Sequence, residues 1–390
     1  MALNFQQVFD RIREISSGAR LRRETQVALR KQARSLLEAW AGKAPELRNK
    51  IDRARQSDPS MRCAIPLEER LDASFPQPAG QKSPTLLAAD GSQILPDRHA
   101  AVQYSLVNVG AIAIQSNSGA TPKVFTDSHL LFGDELFTET GTLTGEAIEQ
   151  QRDIAERRKL LELAPGYPAP LVALTDGPVE LWGAKGAGEE DYRKNLEIHK
   201  SILSQLQAQG ATVAGYVDKP AADLVIRTLE IAQFSTDEEF KNIRTLHSLR
   251  GVTDRWLYSY LPGGHRSAVF GLQSGSRSHY SGDLALHFFY LNVGETQHPW
   301  LVRVEIPGWV AADTGMLDLL HTALLDQCKI MGAKPYPYIL HRAHEIAVVK
   351  FDEKQQVEQM LELGLLSAGN EMDTESNKQS AKNLKGRSRK

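Results

Sequence analysis

Cysteine is almost missing from the sequence, and its scarcity excludes two kinds of protein. Cys63 and Cys328 are the only two in 390 residues, and neither belongs to a C-x-x-C pair. A disulfide-stapled scaffold and a cysteine-ligated zinc site are therefore not expected, and a reducing compartment suits the chain. No apolar run approaches the roughly 18 residues that a membrane span needs. The N-terminal stretch MALNFQQVFDRIREISS is amphipathic rather than continuously apolar, so it does not read as a signal peptide. The expectation is a cytoplasmic protein with no membrane partner. Charge of one sign is lacking too: the formal net charge is -2, so any nucleic-acid binding must come from a local basic face. GAKGAGEE lacks the Gly-Lys-Ser/Thr ending of a phosphate-binding loop, and no G-x-S-x-G occurs. Nucleotide hydrolysis and serine-hydrolase chemistry are both demoted. There is no internal repeat.

What is present is a globular composition and enough chain for about two domains. Residues 1 to about 57 read as helices, with Phe5, Val8, Ile12 and Ile15 at helical spacing. Arg20, Arg22, Arg23, Arg30, Lys31 and Arg34 make this region basic, either as a solvated face or as a surface for nucleic acid or a partner. FPQPAGQKSP is a connector. From Thr85 the pattern becomes strand-like. TLLAADGS is apolar on both faces, as a central strand would be. AVQYSLVNVGAIAI fits one strand bent at Gly110, or two strands. A strong helix over 145–164, a second buried strand in APLVALTDG, a helix ending at Gly210 and the strand ATVAGYVDK follow. A further helix comes after Pro220. This alternation predicts an α/β fold with a mixed sheet flanked by helices.

Residues 234–283 resist reading, and SGSRSHYSGD is expected to be a mobile loop. Strands return in LALHFFYLNVG and PWLVRVEIPGWV, and helices follow. The last twenty residues are polar with a basic end and read as a disordered tail. The expected organisation is a helical segment over 1–75, a main domain over 76–368 and the tail over 369–390.

Two apolar strands carry an Asp followed by Gly: Asp90 in LLAADG and Asp176 in LVALTDG. Glycine permits a sharp turn that leaves the carboxylate exposed at the sheet's edge, where ligands of α/β sheets collect. Two such carboxylates repel unless a cation lies between them. All-oxygen ligands select a hard ion such as Mg²⁺ or Mn²⁺, and two such ions can clamp a phosphodiester. Ordinary strand-ending turns explain the same pairs. The intervening helix offers Glu146, Glu149, Asp153, Glu156 and Glu162, either as a solvated face or as a source of a third carboxylate. YPYILHRAHEIA clusters Tyr336, Tyr338, His341, Arg342 and His344, which suits proton transfer, metal ligation or plain packing.

In order, these motifs are Asp-Gly-Ser on a first strand, a glutamate-bearing helix, a second Asp-Gly strand, AGYVDKP, VRVEIPGWV and YPYILHRAH. That order resembles the NurA nuclease family over about Thr85 to Ala347. The resemblance implies an RNase H-like fold and a Mn²⁺-dependent DNA nuclease, with Mg²⁺ as the alternative ion and a two-ion site. It implies 5′ to 3′ exonuclease and single-strand endonuclease activity in end resection during double-strand break repair. The implied partners are DNA, a second copy of the chain and a HerA-type hexameric ATPase. Asp90 and Asp176 match the metal-binding aspartates, and Tyr336 and His344 match the C-terminal pair. Glu156 is favoured as the helix ligand, with Glu149 open. His344 would ligate metal or protonate the leaving 3′ oxygen, and Tyr336 would orient it or the phosphate. Ser92 and Lys219 lie close to the motifs, as contacts to phosphate or as a turn cap and a surface residue. Basic residues of the N-terminal helices and tail would track the DNA backbone. The N-terminal helices and the strands around 284–310 are candidate dimer surfaces. A catalytically idle adaptor of the motor, or an enzyme acting on RNA or hybrids, are the competing readings.

Overall fold

A computed structural model describes residues 3–80, 83–138, 141–183 and 189–369. The expected disordered tail lies outside the described residues except for Gly369, as does most of GAKGAGEE. Three helices open the chain: α1 (Phe5–Ser17), α2 (Ala19–Trp40) and α3 (Ala44–Ser57). The short strand β1 (Cys63–Pro66) follows. Next come β2 (Thr85–Ile94), β3 (Tyr104–Gln115), β4 (Lys123–Phe132) and the small hairpin β5 (Phe137–Thr138) and β6 (Gly141–Thr142). Then α4 (Gly145–Leu163), β7 (Leu171–Asp176), α5 (Glu189–Ala208) and β8 (Ala211–Val217) alternate. Helix α6 (Leu224–Ala232) precedes the short helices α7 (Asp237–Lys241) and α8 (Asp254–Leu257). Strands β9 (Phe270–Gln273), β10 (Leu286–Asn292) and β11 (Leu301–Pro307) come next. Helices α9 (Gly308–Ala312), α10 (Thr314–Ile330), α11 (Tyr338–Ala347) and α12 (Phe351–Ser367) complete the described chain.

The chain groups into two compact units. One comprises 80–215 and 326–390, the other 1–79 and 216–325. In the first, the strand order is β8-β7-β2-β3-β4. β2, β3 and β4 form an antiparallel meander, and α4 then carries the chain back so that β7 runs parallel to β2 on its other side. This is the RNase H-like arrangement, a mixed sheet flanked by helices. β2 is the hydrophobic centre because it has neighbours on both edges and helices on both faces; Leu86, Leu87, Ala88 and Ala89 are fully buried. β3 is one continuous strand through Gly110, not two. The edge strand β4 is exposed along nearly its whole length.

The second unit holds the strand order β1-β9-β10-β11. Stacked aromatic rings, among them Tyr258 on Tyr290 and Phe270 on Phe288, fill its core. Asp254 is completely buried there and accepts the Val225 and Ile226 amides at 2.9 Å each, which satisfies orphan donors at the start of α6. Tyr290 donates its hydroxyl to the same carboxylate at 2.6 Å. β10 and β11 are buried along almost their full length, so they are not the free dimer surface expected of 284–310. Within SGSRSHYSGD, Ser274 and Tyr280 are buried, which anchors that stretch at its first and seventh residues. Two of the basic residues expected on a solvated face pack structurally instead. Arg30 lies 3.6 Å over the Trp256 ring and Arg34 lies 3.7 Å over Tyr260. Helix α1, by contrast, is exposed on every side, including Phe5, Phe9, Ile12 and Ile15.

Arg244 grips Asp58, just past the end of α3, through two bonds of 2.9 and 2.8 Å. That hydrogen bonding draws the Asp58 carboxyl down to about 2. Because the folded value lies below the unfolded one, the contribution is present above about pH 4 and is lost as pH falls through about 2. Asp58→Asn is expected to lower Tm at pH 7, and the gap to the natural protein should narrow as pH drops from 4 towards 2 in a thermal unfolding series.

Candidate active site

Asp90 and Asp176 reach the same end of the sheet on adjacent parallel strands. The register of β2 and β7 runs Thr85↔Leu171 through Ala89↔Thr175, so the two aspartates are the next pair in line. Strand spacing places their Cα atoms about 5 Å apart. Beyond this point the strands part. β7 ends at Asp176, and Gly177 turns away at φ +86°; only glycine takes that conformation without strain. Gly215 of β8 lets this turn pack closely, since a Cβ there would meet the Gly177 carbonyl oxygen at 2.4 Å.

The Asp-Gly-Ser step at 90–92 is not a turn, contrary to the expectation. β2 continues through it to Ile94, still paired with β3. Its glycine answers a tertiary need: a Cβ on Gly91 would lie 2.4 Å from Arg152 Cγ and 2.8 Å from Glu156 Oε1, both on α4. Successive strand residues face opposite sides, so Gly91 faces α4 while Asp90 faces α11. The cross-strand partner of Asp90 is Gly110. A Cβ on Gly110 would sit 2.4 Å from Ala347 N and 2.8 Å from Ala343 O, so α11 rests on bare backbone at this position. The Ser92 hydroxyl and the Asn108 amide both donate to Ala347 O, at 2.5 and 2.7 Å. Ser92 is thus a tie for α11 rather than a turn cap.

This seating brings His344 onto Asp90. Nδ1 and Oδ2 are 2.7 Å apart; the carboxylate can only accept, so Nδ1–H donates and Nε2 is left facing outward. The other Asp90 oxygen accepts the Gly91 amide at 2.8 Å. Asp90 is only 16% exposed at its side chain, against 62% for His344. The imidazole is therefore the reachable part of the pair.

Glu156 approaches from the opposite face. It is 4% exposed, and burial, reinforced by the nearby Asp153, pushes its carboxyl up to about 8 against the pull of Arg157 and Arg152. The charge of Asp90 raises it further. Arg152 Nε lies 3.4 Å from Glu156 Oε1, and its other nitrogens hold Asp153 at 2.9 Å and Gln93 at 2.8 Å. Arg152 is the residue that sequence reasoning passed over, although its spacing of four from Glu156 signals a pair on one helix face. Glu149, the open alternative, is exposed on α4.

Tyr336 is half-buried in the segment before α11, and roughly 9 Å of helix axis separates the start of that helix from His344. His341 and Arg342 pair with Glu345 along the helix surface. Lys219 takes a left-handed conformation at φ +45° and belongs to the other compact unit.

The donor chemistry, three carboxylates and an imidazole, suits a hard divalent ion. Among the described residues no group of three or more such side chains is already gathered as a cage. Asp90 is bonded to His344, while the Glu156 carboxyl, pushed up to about 8 by burial, lies 3.4 Å from Arg152 Nε. Gathering them requires a cation strong enough to deprotonate Glu156 and displace Arg152.

Two expected outcomes test this geometry. Gly110→Val should overpack the α11 seat and cost about 1–3 kcal/mol in urea unfolding. The folded value of Glu156 lies above the unfolded one, so its neutral form favours the fold. That contribution is complete below about pH 4.5 and is lost as pH rises through about 8. Glu156→Gln should therefore match the natural Tm near pH 4.5 and exceed it increasingly towards pH 8. A Tm difference that does not change with pH would refute the assignment.

Comparison with known proteins follows the same residues. A NurA domain profile matches residues 84–349. The crystal structure of the NurA nuclease from Sulfolobus solfataricus is similar at 12% identity and a TM-score of 0.47, over 76% of this chain and 88% of that one. The catalytic domain of human endonuclease V is similar at 12% identity and a TM-score of 0.31, over 75% and 92%. A search of curated protein sequences gives no match. No described helix is long and apolar enough to cross a membrane. The domain match covers most of the chain and spans every candidate residue from Asp90 to His344, and the chain belongs to the NurA family.

Proposed function

We propose that the chain is a metal-dependent DNA nuclease that hydrolyses phosphodiesters at the shared end of β2 and β7. The observation that carries this reading is the 2.7 Å contact between His344 and Asp90 beside the register position of Asp176. Family membership supports nuclease chemistry in general. Mn²⁺ is the favoured ion, Mg²⁺ the alternative, and the site would hold two. Asp90, Asp176 and Glu156 would hold them, with His344 as a further ligand or as the proton donor. When bound, such ions neutralise the phosphate's charge and acidify a water.

The chain's own residues supply the rest. Asp90 accepts from Nδ1–H and so turns Nε2 of His344 outward; with the ring protonated at both nitrogens, Nε2–H would give its proton to the leaving 3′ oxygen and leave a neutral imidazole. Burial of Glu156 against Gly91 keeps that carboxyl rigid. Tyr336 contacts the substrate phosphate or the outward side of the imidazole. Activity would be 5′ to 3′ on ends and endonucleolytic on single strands, serving end resection in double-strand break repair. The working form would be a homodimer under a HerA-type hexameric ATPase. The exposed apolar residues of α1 are the surface best suited to the second copy.

Cleavage of a labelled single-stranded oligonucleotide with Mn²⁺, Mg²⁺ or EDTA tests the reading. Asp90→Asn and Asp176→Asn should abolish cleavage with unchanged circular dichroism. His344→Ala should lower kcat by about 10²–10⁴ while DNA binding is kept. Full activity in either aspartate variant would overturn the site. A natural protein that binds DNA but fails to cleave it with either Mn²⁺ or Mg²⁺ would turn the reading to an adaptor of the motor, and preference for an RNA oligonucleotide would turn it to an RNase H-like ribonuclease.

A further inference from the structure

A cavity of about 1080 Å³ begins two residues beyond Asp90 on the same strand. Its walls come from the end of β2 and the loop after it, the start of α4, the short link after α11 and the first turn of α12. At the upper end of, or above, the about 300–1,000 Å³ that holds a drug-sized ligand, it suits a longer occupant. Arg98, His99 and Lys354 line it, against a single lining carboxylate, Asp97, which is bonded to the His99 amide at 2.9 Å. Lys354 is also 3.7 Å from Glu358 on its own helix. Leu95, 45% exposed, and Phe351, 73% exposed, line the same cavity.

Phe351 is not among the residues that pack α12 onto its unit. α12 is held to its unit by Val357 and Leu361, which pack with Val349 against Ile94, Tyr104 and Leu106. An exposed aromatic ring beside Arg98 and Lys354, in a cavity that starts two residues along β2 from Asp90, matches how single strands are bound. Cations track the backbone, and flat rings take unpaired bases. A base within a duplex is already stacked and cannot offer its face to Phe351.

We infer that this groove is the single-stranded DNA subsite next to the cleavage centre, with Phe351 stacking a base and Arg98 and Lys354 contacting flanking phosphates. The inference rests on the nuclease reading for the identity of the polymer, and binding in EDTA tests it apart from catalysis. The experiment is fluorescence anisotropy of the full chain with labelled oligo(dT), its duplex with oligo(dA), and oligo(rU), over a salt series. Phe351→Ala should weaken oligo(dT) binding about tenfold with little change in salt slope, and Phe351→Trp should restore it. Arg98→Ala with Lys354→Ala should weaken binding and reduce the slope of log K against log salt by about 1.4. Natural affinity in both Ala variants overturns the subsite even if the protein cleaves DNA. Tighter binding of duplex or oligo(rU) than oligo(dT) also overturns it. Groove-dependent binding by a protein that never cleaves upholds the subsite while the catalytic reading fails.

Discussion

Helix α11 can lie on the sheet only where residue 110 has no side chain. With a Cβ there, the backbone of Ala347 would be met at 2.4 Å, and no rotamer change relieves a clash with backbone. Buried Ala343 and Ala347 complete the fit from the helix side. Ser92 and Asn108 then pin the carbonyl of Ala347 from two neighbouring strands. The helix is thereby fixed in height and in rotation, and His344, one turn back from Ala347, falls on Asp90. A looser seat would leave the imidazole, 62% exposed, without the bond to Asp90 that gives it a direction.

The same strand is treated differently on its other face. There Gly91 admits α4, and what arrives is a mixed-charge group: Glu156, Asp153 and Arg152. Carboxylates gathered this closely need compensation. Asp90 obtains it from the imidazole, Asp153 from the guanidinium, and Glu156 by holding its proton. Each of these can be undone. An imidazole lets go more readily than an arginine held by several partners, a protonated carboxyl yields to a cation, and Arg152, 28% exposed, is itself suited to a phosphate oxygen. The arrangement is stable as it stands, and its partners can be exchanged.

Much of the fold was legible in the sequence, for a physical reason that also marks the failures. β2, β3, β7 and α4 announce themselves because they are buried, so composition and period follow from their surroundings. β4 was not seen, since an exposed edge strand such as KVFTDSHLLF needs no apolar face and carries little periodicity. β1 and β9, four residues each, are too short for a pattern. The Asp-Gly pairs show the limit most clearly. At 176–177 the local rule holds and the glycine makes a turn; at 90–91 the glycine exists for the sake of α4, some sixty residues on. Gly110 likewise answers to a helix over 230 residues away. Local sequence cannot display such demands. The order of motifs along the chain suggested Asp90 and His344 together; their contact is a product of packing.

The tie at Ala347 has a second consequence beyond His344. Only three residues, Val348 to Lys350, separate α11 from α12. With the end of α11 pinned by Ser92 and Asn108, so short a link has few directions in which to leave. Val349 and the inner face of α12 then settle on Ile94, Tyr104 and Leu106, the far end of β2 and the start of β3. Phe351 and Lys354 are thus placed with respect to the strand that bears Asp90, not merely with respect to their own helix. One run of chain, Tyr338 to Ser367, sets both the imidazole over the carboxylate and the wall of the neighbouring cavity. The glycine that lets it down onto the sheet therefore fixes the spacing between the His344–Asp90 pair and the groove.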